Sequence, residues 1–240
     1  VYNRQGGVAW MLGNLPAARI YVERSLADFA ALGNLLGKAD AENNLGILAE
    51  QLGDWQSAIG SYQAALEANQ LSGRRRAAAL SRLNLGAAQL QLGAPELAMP
   101  LLEQASAETY ELGDTLHEIM ALRWLGRAQT RLGRFDDANA ALRRALTYAQ
   151  QSQLLLEQLD TYTALGELAL AQADQGAARA AYSGGSALLA RVDRATLEVG
   201  LFLRFAALVE ERTGAQAYSA TLRAESQLTF SPQRGAISLG

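Results

Sequence analysis

The chain of 240 residues contains no cysteine, which excludes disulfides, thiolate metal sites and cysteine nucleophiles. It has one histidine, His117. The surrounding "DTLHEIMA" is not the H-E-x-x-H pattern of a zinc protease, and a histidine in the first turn of a surface helix is expected. Neither a G-x-x-x-x-G-K-[ST] phosphate loop nor a G-x-G-x-x-G fingerprint is present. The one glycine cluster, "SGGS" at 183–186, reads as a packing compromise or a helix break. Carboxylates are scattered over the chain with no pair singled out. No apolar run approaches the roughly 18 residues that a membrane-spanning helix needs. Basic excess is lacking too: the net charge is −3 and the pI about 5.3, which argues against generic affinity for nucleic acid or an anionic membrane. Sustained strand-like alternation is absent. The expectation is an all-α, non-catalytic protein with no cofactor and no metal, cytoplasmic, and without nucleic acid or membrane as a partner.

What the chain does have is half its residues apolar, enough for a sizeable core, and a repeat of forty residues. Shifted by that length, "NNLGILAEQLGDWQSAI" lands on "LNLGAAQLQLGAPELAM" and then on "RWLGRAQTRLGRFDDAN". Glycine recurs at 6, 46, 86, 126 and 166, and again at 13, 53, 93 and 133. A third series is Gly33, Gly73 and Gly113, and alanine recurs at 18, 58, 98, 138 and 178. The second and third glycine series alternate every twenty residues, each just past an apolar-periodic run, where a helix C′ residue takes positive φ. Helix-start signals follow them: Asp54 before Trp55, Asn14 with Pro16, Pro95 near the first position, and Asp114 or Thr115, with Thr115 and Glu118 spaced as a capping box. Each unit is therefore two helices of about fifteen residues joined by tight turns. The first glycine series falls inside a helix, where glycine costs roughly 1 kcal/mol against alanine. Close approach of the two helices, with the alanine series on the other side, is the expected reason. Pro100 should kink its helix.

These residues resemble the tetratricopeptide repeat, W-x2-L-G-x2-Y…A-x3-F…P. Leu45-Gly46, Leu85-Gly86, Leu125-Gly126 and Leu165-Gly166 match its L-G pair. Ala58 with Tyr62, Ala98 with Leu102, Ala138 with Leu142 and Ala178 with Tyr182 match its A-x3-F. The Trp position holds Tyr2, Leu122 and Tyr162, but Glu42 and Arg82 in the second and third copies. The Tyr position and the closing Pro are not kept, and the period is longer than the family's usual 34 residues. The longer period with "NLG" is similar to kinesin light chains, to the G-protein signalling modulators named for Leu-Gly-Asn repeats, and to sensor domains of bacterial maltose-regulator-type transcription activators. The resemblance implies a right-handed α-solenoid of antiparallel helix pairs, with a concave groove lined by the first helix of each pair. Residues 1–227 are expected to form one solenoid, with repeats near 1–33, 34–73, 74–113, 114–153 and 154–193 and a degenerate capping pair at 194–227. Residues 228–240 read as a non-helical tail. The chain begins at Val1 and inside a repeat, so it is read as a piece of a longer protein.

On the implied groove face, the second copy offers Asp40, Asn43, Asn44, Ile47, Glu50 and Gln51. The first copy offers Asn3, Arg4, Gly7, Trp10 and Met11. Three features are candidates for binding. Asn44 and Asn84, with Asn43, stand where the resemblance implies asparagines that bond an extended peptide backbone; the alternative is a hydrogen bond between neighbouring repeats. Arg123, Arg127 and Arg131 form a basic ridge beside Trp124 that suits a carboxylate or phosphate; the alternative is pairing with Asp160 and Glu167. Leu80, Leu83 and Leu90 are an apolar anchor site if exposed, or are buried against a neighbour. The resulting expectation is a module that binds a protein or peptide segment, one with acidic groups if the ridge is used. The alternative is a ligand- or peptide-sensing regulatory domain of a larger bacterial signalling or transcription-control protein.

Overall fold

The computed structural model describes residues 2–193, 196–212 and 216–229, without the side chains of 2–4, 216–218, 220, 221, 228 and 229. The described residues form twelve helices and no strand. In chain order these are α1 (Tyr2–Met11), α2 (Leu15–Ala31), α3 (Leu35–Gln51), α4 (Trp55–Leu71), α5 (Arg75–Gln91), α6 (Pro95–Glu111), α7 (Thr115–Arg131), α8 (Phe135–Gln151), α9 (Leu155–Ala171), α10 (Gln175–Ser186), α11 (Leu197–Arg212) and α12 (Gln216–Thr229). From α2 to α9 every helix has 17 residues, two more than the periodicity predicts. The architecture is that of a helical-repeat solenoid built from consecutive antiparallel pairs. Contacts divide the chain into two compact units, Val1–His117 and Glu118–Gly240. The expected sixth pair corresponds to α11 and α12; residues 194–195, 213–215 and 230–240, most of the expected tail among them, lie outside the described residues.

One turn explains the period. At the end of α3, Gly53 takes φ +73°. Its N–H donates to Glu50 O at 2.9 Å, and the Asp54 N–H donates to Ala49 O at 2.9 Å. This is the Schellman arrangement, which satisfies carbonyls that the helix end would otherwise leave without partners. Asp54 then caps the next helix, its carboxylate accepting from the Ser57 N–H at 3.1 Å. A single residue thus closes one helix and opens the following one. Asn14, Asn34 and Asp174 cap in the same way. At α7 the cap is Asp114, which pairs with His117 Nδ1 at 2.9 Å. Glu118 turns away from a capping box toward Arg144, at 2.6 Å.

Two turns of the series lack glycine. Gln153 and Ala173 hold φ of +56° and +58° in the same place, where a Cβ crowds the carbonyl by about 1–2 kcal/mol. After the extra entropy glycine carries when unfolded, Gln153→Gly and Ala173→Gly should each raise stability by about 0.5–1 kcal/mol. Urea denaturation of the single variants checks this, and a fall in midpoint would overturn it.

The mid-helix glycines do mark a close approach to the alanine series, with Ala138 O 3.3 Å from a Cβ on Gly126 and Ala18 O 3.6 Å from one on Gly6, but the nearest group is a larger side chain. A Cβ on Gly46 would lie 2.5 Å from the Tyr62 ring, and one on Gly126 would lie 2.5 Å from Leu142. Gly86 meets Leu102 at 2.8 Å and Gly6 meets Val22 at 3.0 Å. In each case the large side chain sixteen residues later fills the notch. The alanines, such as Ala58 and Ala138, are fully buried beside it. α6 continues through Pro100.

The fifth copy departs from this rule. Gly166 faces Phe205 of α11, whose ring would lie 2.0 Å from an added Cβ, and α11 packs directly on α9. α10 stops at Ser186 after 12 residues. The "SGGS" cluster proves to be both a packing device and a helix end. Side chains at Gly184 and Gly185 would strike Tyr162 at 2.4 Å and Phe202 at 2.2 Å.

Candidate functional site

In the first unit, α3 and α5 lie side by side, linked through Arg74, which donates to Asp40 at 2.7 Å, and through Asn84 Nδ2, which donates to Asn43 Oδ1 at 3.2 Å. The alternative reading of the asparagines, a bond between repeats, is therefore realised for Asn43 and Asn84. That bond uses one donor and one acceptor. It leaves the Asn43 amide N–H groups and the Asn84 carbonyl oxygen, since each amide carries both functions. Asn44 is half-exposed and makes no side-chain hydrogen bond among the described residues. Ile47 leans onto the cluster of Tyr62, Leu85 and Ala88 and is half-buried. Glu50 is exposed and accepts from the Tyr62 hydroxyl at 2.8 Å. Burial, and then the Glu50 charge, push the Tyr62 phenol above its ordinary pKa, so it stays the donor.

Leu83 and Leu90 are corrections. At 1% and 0% exposure they are core residues, and only Leu80 of the three is half-exposed. The helical wheel placed them on an open face, but a stacked helix is flanked by neighbours on both sides. The column that begins at Asn43 and continues through Leu83, Arg123 and Thr163 lies at that flank, and its last three members are buried. The strip left to solvent in the first unit is narrower than the wheel implied: Asn43, Asn44, Ile47, Gln51, Leu80, Asn84, Ala87 and Gln91, edged by Asp40 and Glu50. The side chains of Asn3 and Arg4 lie outside the described residues. Trp10 is half-buried against the cluster around Val22 and Leu48.

The Trp position of the second and third copies is filled by charges. Arg82 is buried and donates to Glu108. Glu42 is half-buried, and burial raises its carboxyl pKa against the opposing pull of Lys38.

In the second unit, Arg123 is buried and engages both Glu157 and Asp160, the latter at 2.9 Å. Arg127 engages Asp160 at 2.7 Å and Glu167 at 2.9 Å, and its guanidinium stacks 5.1 Å from the Trp124 ring centroid. The expected anion ridge is thus occupied by the chain itself: two guanidinium groups on α7 face three carboxylates on α9. The expectation of an acidic partner loses its carrier here. Arg131, one turn on, is exposed. Pairing with Asp160 and Glu167 was legible as an alternative; Glu157, one repeat after Arg123, was missed. Among the described residues no group of three or more His, Asp or Glu side chains is arranged to hold a metal ion, and no helix is long and apolar enough to cross a membrane.

The model of the tetratricopeptide-repeat family matches the sequence twice, over residues 1–70 and 38–107. Residues 1–107 thus match the tetratricopeptide-repeat family, and the described helices share the fold of solved helical-repeat proteins. The A-x3-F element of that pattern is the part that fills the glycine notch, as Tyr62 does at Gly46. No curated protein matches the sequence at a significant level. Solved tetratricopeptide-like folds are similar to it at low identity. The apo form of RapI aligns with a TM-score of 0.79 and 15% identity, over 98% of this chain and 82% of that one. BtubC (BKLC) from P. vanneervenii aligns with a TM-score of 0.69 and 16% identity, over 94% of each chain. A Rap protein complexed with competence and sporulation factor aligns with a TM-score of 0.72 and 15% identity, over 98% of this chain and 64% of that one.

Proposed function

We propose that this chain is a non-catalytic binding module, and that the strip on α3 and α5 of the first unit takes an extended peptide segment of a partner protein. The observation that carries this reading is the asparagine set. The Asn43–Asn84 bridge leaves one amide donor group and one amide acceptor unused, the complement of one peptide group, and Asn44 adds a whole amide beside it. Backbone recognition of this kind gives affinity to a strand-like ligand without demanding one sequence. The half-buried Ile47 offers an apolar contact next to it. That a Rap protein of the same fold is complexed with competence and sporulation factor supports a binding role by likeness of fold.

Peptides selected on the whole chain from a phage-displayed random library provide the probe. Asn43→Ala, Asn44→Ala and Asn84→Ala combined should weaken the selected peptides at least tenfold. Helix content should be unchanged, because the bridge itself contributes only about 1 kcal/mol. Unchanged affinity in the triple variant would end the amide reading.

A further inference from the structure

α5 carries a second polar face. Arg75, Ala78 and Arg82 follow one another at i, i+3 and i+7 and share one side of the helix, whereas Asn84, two residues beyond Arg82, lies on the other. With the end of α4 and the second half of α6, that face encloses a pocket of about 280 Å³, whose walls include Asn69, Gln70, Arg75, Arg82, Gln104 and Glu108. The pocket lies within the first unit, in a stretch described without a gap. Its volume falls just under the roughly 300 Å³ at which ligand clefts begin, which suits a compact molecule.

The repeat does not require these residues. Forty residues on, the stations of Asn69, Arg75 and Arg82 hold Thr109, Thr115 and Leu122, and Leu122 is an ordinary buried apolar residue. Arg82 places a guanidinium at that station with 4% exposure, where burying a charge is costly. Glu108 accepts from it, and Gln104 Nε2 donates to the other oxygen of Glu108 at 3.1 Å. A guanidinium carries five N–H donors, of which this bond uses one. Asn69 is 3% exposed; its Nδ2 donates to Ser81 Oγ at 3.1 Å, and its Oδ1 has no hydrogen-bond partner. One buried wall thus offers donors on a cation, and another offers an acceptor that nothing in the chain answers. An acceptor left buried in this way carries a desolvation cost that a donating ligand would relieve.

A plain anion would satisfy Arg82 but meet Asn69 Oδ1 and the Glu108 carboxylate. A plain cation would satisfy those two but lie against Arg82 and Arg75. A molecule with both charges on adjacent carbon atoms answers all of them: its carboxylate forks onto Arg82, and its ammonium donates to Asn69 Oδ1 beside Glu108. Arg75 supplies a second guanidinium. Its bond to Glu111 at 3.1 Å joins two exposed side chains, and a pair of that kind contributes little and is readily exchanged. Ala78 and Leu112 give the pocket an apolar wall, short enough for a small side chain.

We infer that this pocket binds a free α-amino acid with a short aliphatic side chain. It stands independently of the peptide strip on α3 and α5. The test titrates the whole chain calorimetrically at neutral pH with L-valine, L-valinamide and 3-methylbutanoate, which share one body and carry both charges, the ammonium alone and the carboxylate alone. Valine should bind saturably and at least about tenfold more tightly than either analogue, because a hydrogen bond to a charged group is worth that factor or more. Arg82→Leu, which copies the station of Leu122, should abolish valine binding, as removal of a buried charged partner does. If that variant loses helix content, Arg75→Glu decides: its side chain is exposed, and reversing its charge should weaken valine at least about tenfold. The combined Asn43, Asn44 and Asn84 alanine variant should bind valine as the wild type does, so the peptide reading and this one fail separately. No saturable binding of valine, equal binding by either singly charged analogue, an affinity untouched by the deciding arginine variant, or loss of valine binding in the triple asparagine variant would each overturn the inference.

Discussion

Asp160→Ala should destabilise the chain by about 3 kcal/mol, the lower end of what breaking a buried ion pair costs. Asp160 is 8% exposed and lies between two arginines, Arg123 at 2.9 Å and Arg127 at 2.7 Å. Removing it leaves both guanidinium groups desolvated with one carboxylate fewer. The lower end applies because Arg123 keeps Glu157 and Arg127 keeps Glu167. For a chain of this length the loss corresponds to roughly 6–12 °C in Tm. Added salt should restore little of it, since buried pairs are weakly screened.

The same loss should depend on pH. Burial pushes the Asp160 carboxyl upward, but Arg123 and Arg127 overrule burial and hold it below the ordinary aspartate pKa. A carboxylate with a depressed folded pKa contributes stability that is fully present above its unfolded value of about 3.9. That contribution is lost as pH falls through the lower folded value. The gap between wild type and Asp160→Ala should be widest at neutral pH and should close in acid. Chemical denaturation at neutral pH and at pH values below about 4 measures it, and a gap that does not vary with pH would show that the carboxylate is not what the arginines rely on.

Gly46→Ala and Gly60→Ala should move stability in opposite directions. Both glycines lie inside helices, where alanine is favoured by about 1 kcal/mol. Nothing lies within 4 Å of a Cβ at Gly60, so that gain of about 1 kcal/mol should be realised. At Gly46 the new methyl would stand 2.5 Å from Tyr62 Cε1 and 2.6 Å from Cδ1. That ring is fully buried, and its hydroxyl is tied to Glu50 at 2.8 Å. It cannot withdraw without losing its hydrogen bond and its packing. Overpacking costs about 1–3 kcal/mol, and after the helix gain of about 1 kcal/mol a net loss of about 1 kcal/mol is expected. In a Tyr62→Ala background the penalty of Gly46→Ala should vanish, which a double-mutant cycle reads directly. Persistence of the penalty without the tyrosine ring would refute the contact as its cause.

The repeat was legible because its physics is local. A glycine at C′, a capping side chain directly after it and an apolar stripe between act within a few residues, and they recur at a fixed interval. Asp54, Asn14 and Pro95 were readable as helix starts for that reason. Glu118 was misread as part of a capping box, because the rival claim on its carboxylate comes from Arg144, 26 residues away. The binding face was half legible. Its helices and its asparagines could be named, but not which edge of each helix its neighbours would cover. Leu83 and Leu90 went to the core for that reason, and Arg123 and Arg127 went to the carboxylates of α9.

By itself, the sequence determined the all-α class, the forty-residue unit, the turn chemistry and the resemblance to the tetratricopeptide repeat, because each rests on spacing along one chain. The tertiary structure decided which glycine is a notch and which is spare, which arginines face solvent and which face aspartate, and where the fifth copy gives its place to Phe205. These depend on atoms that approach from residues sixteen to forty positions away, and a helix's own periodicity carries no record of what will be packed against it.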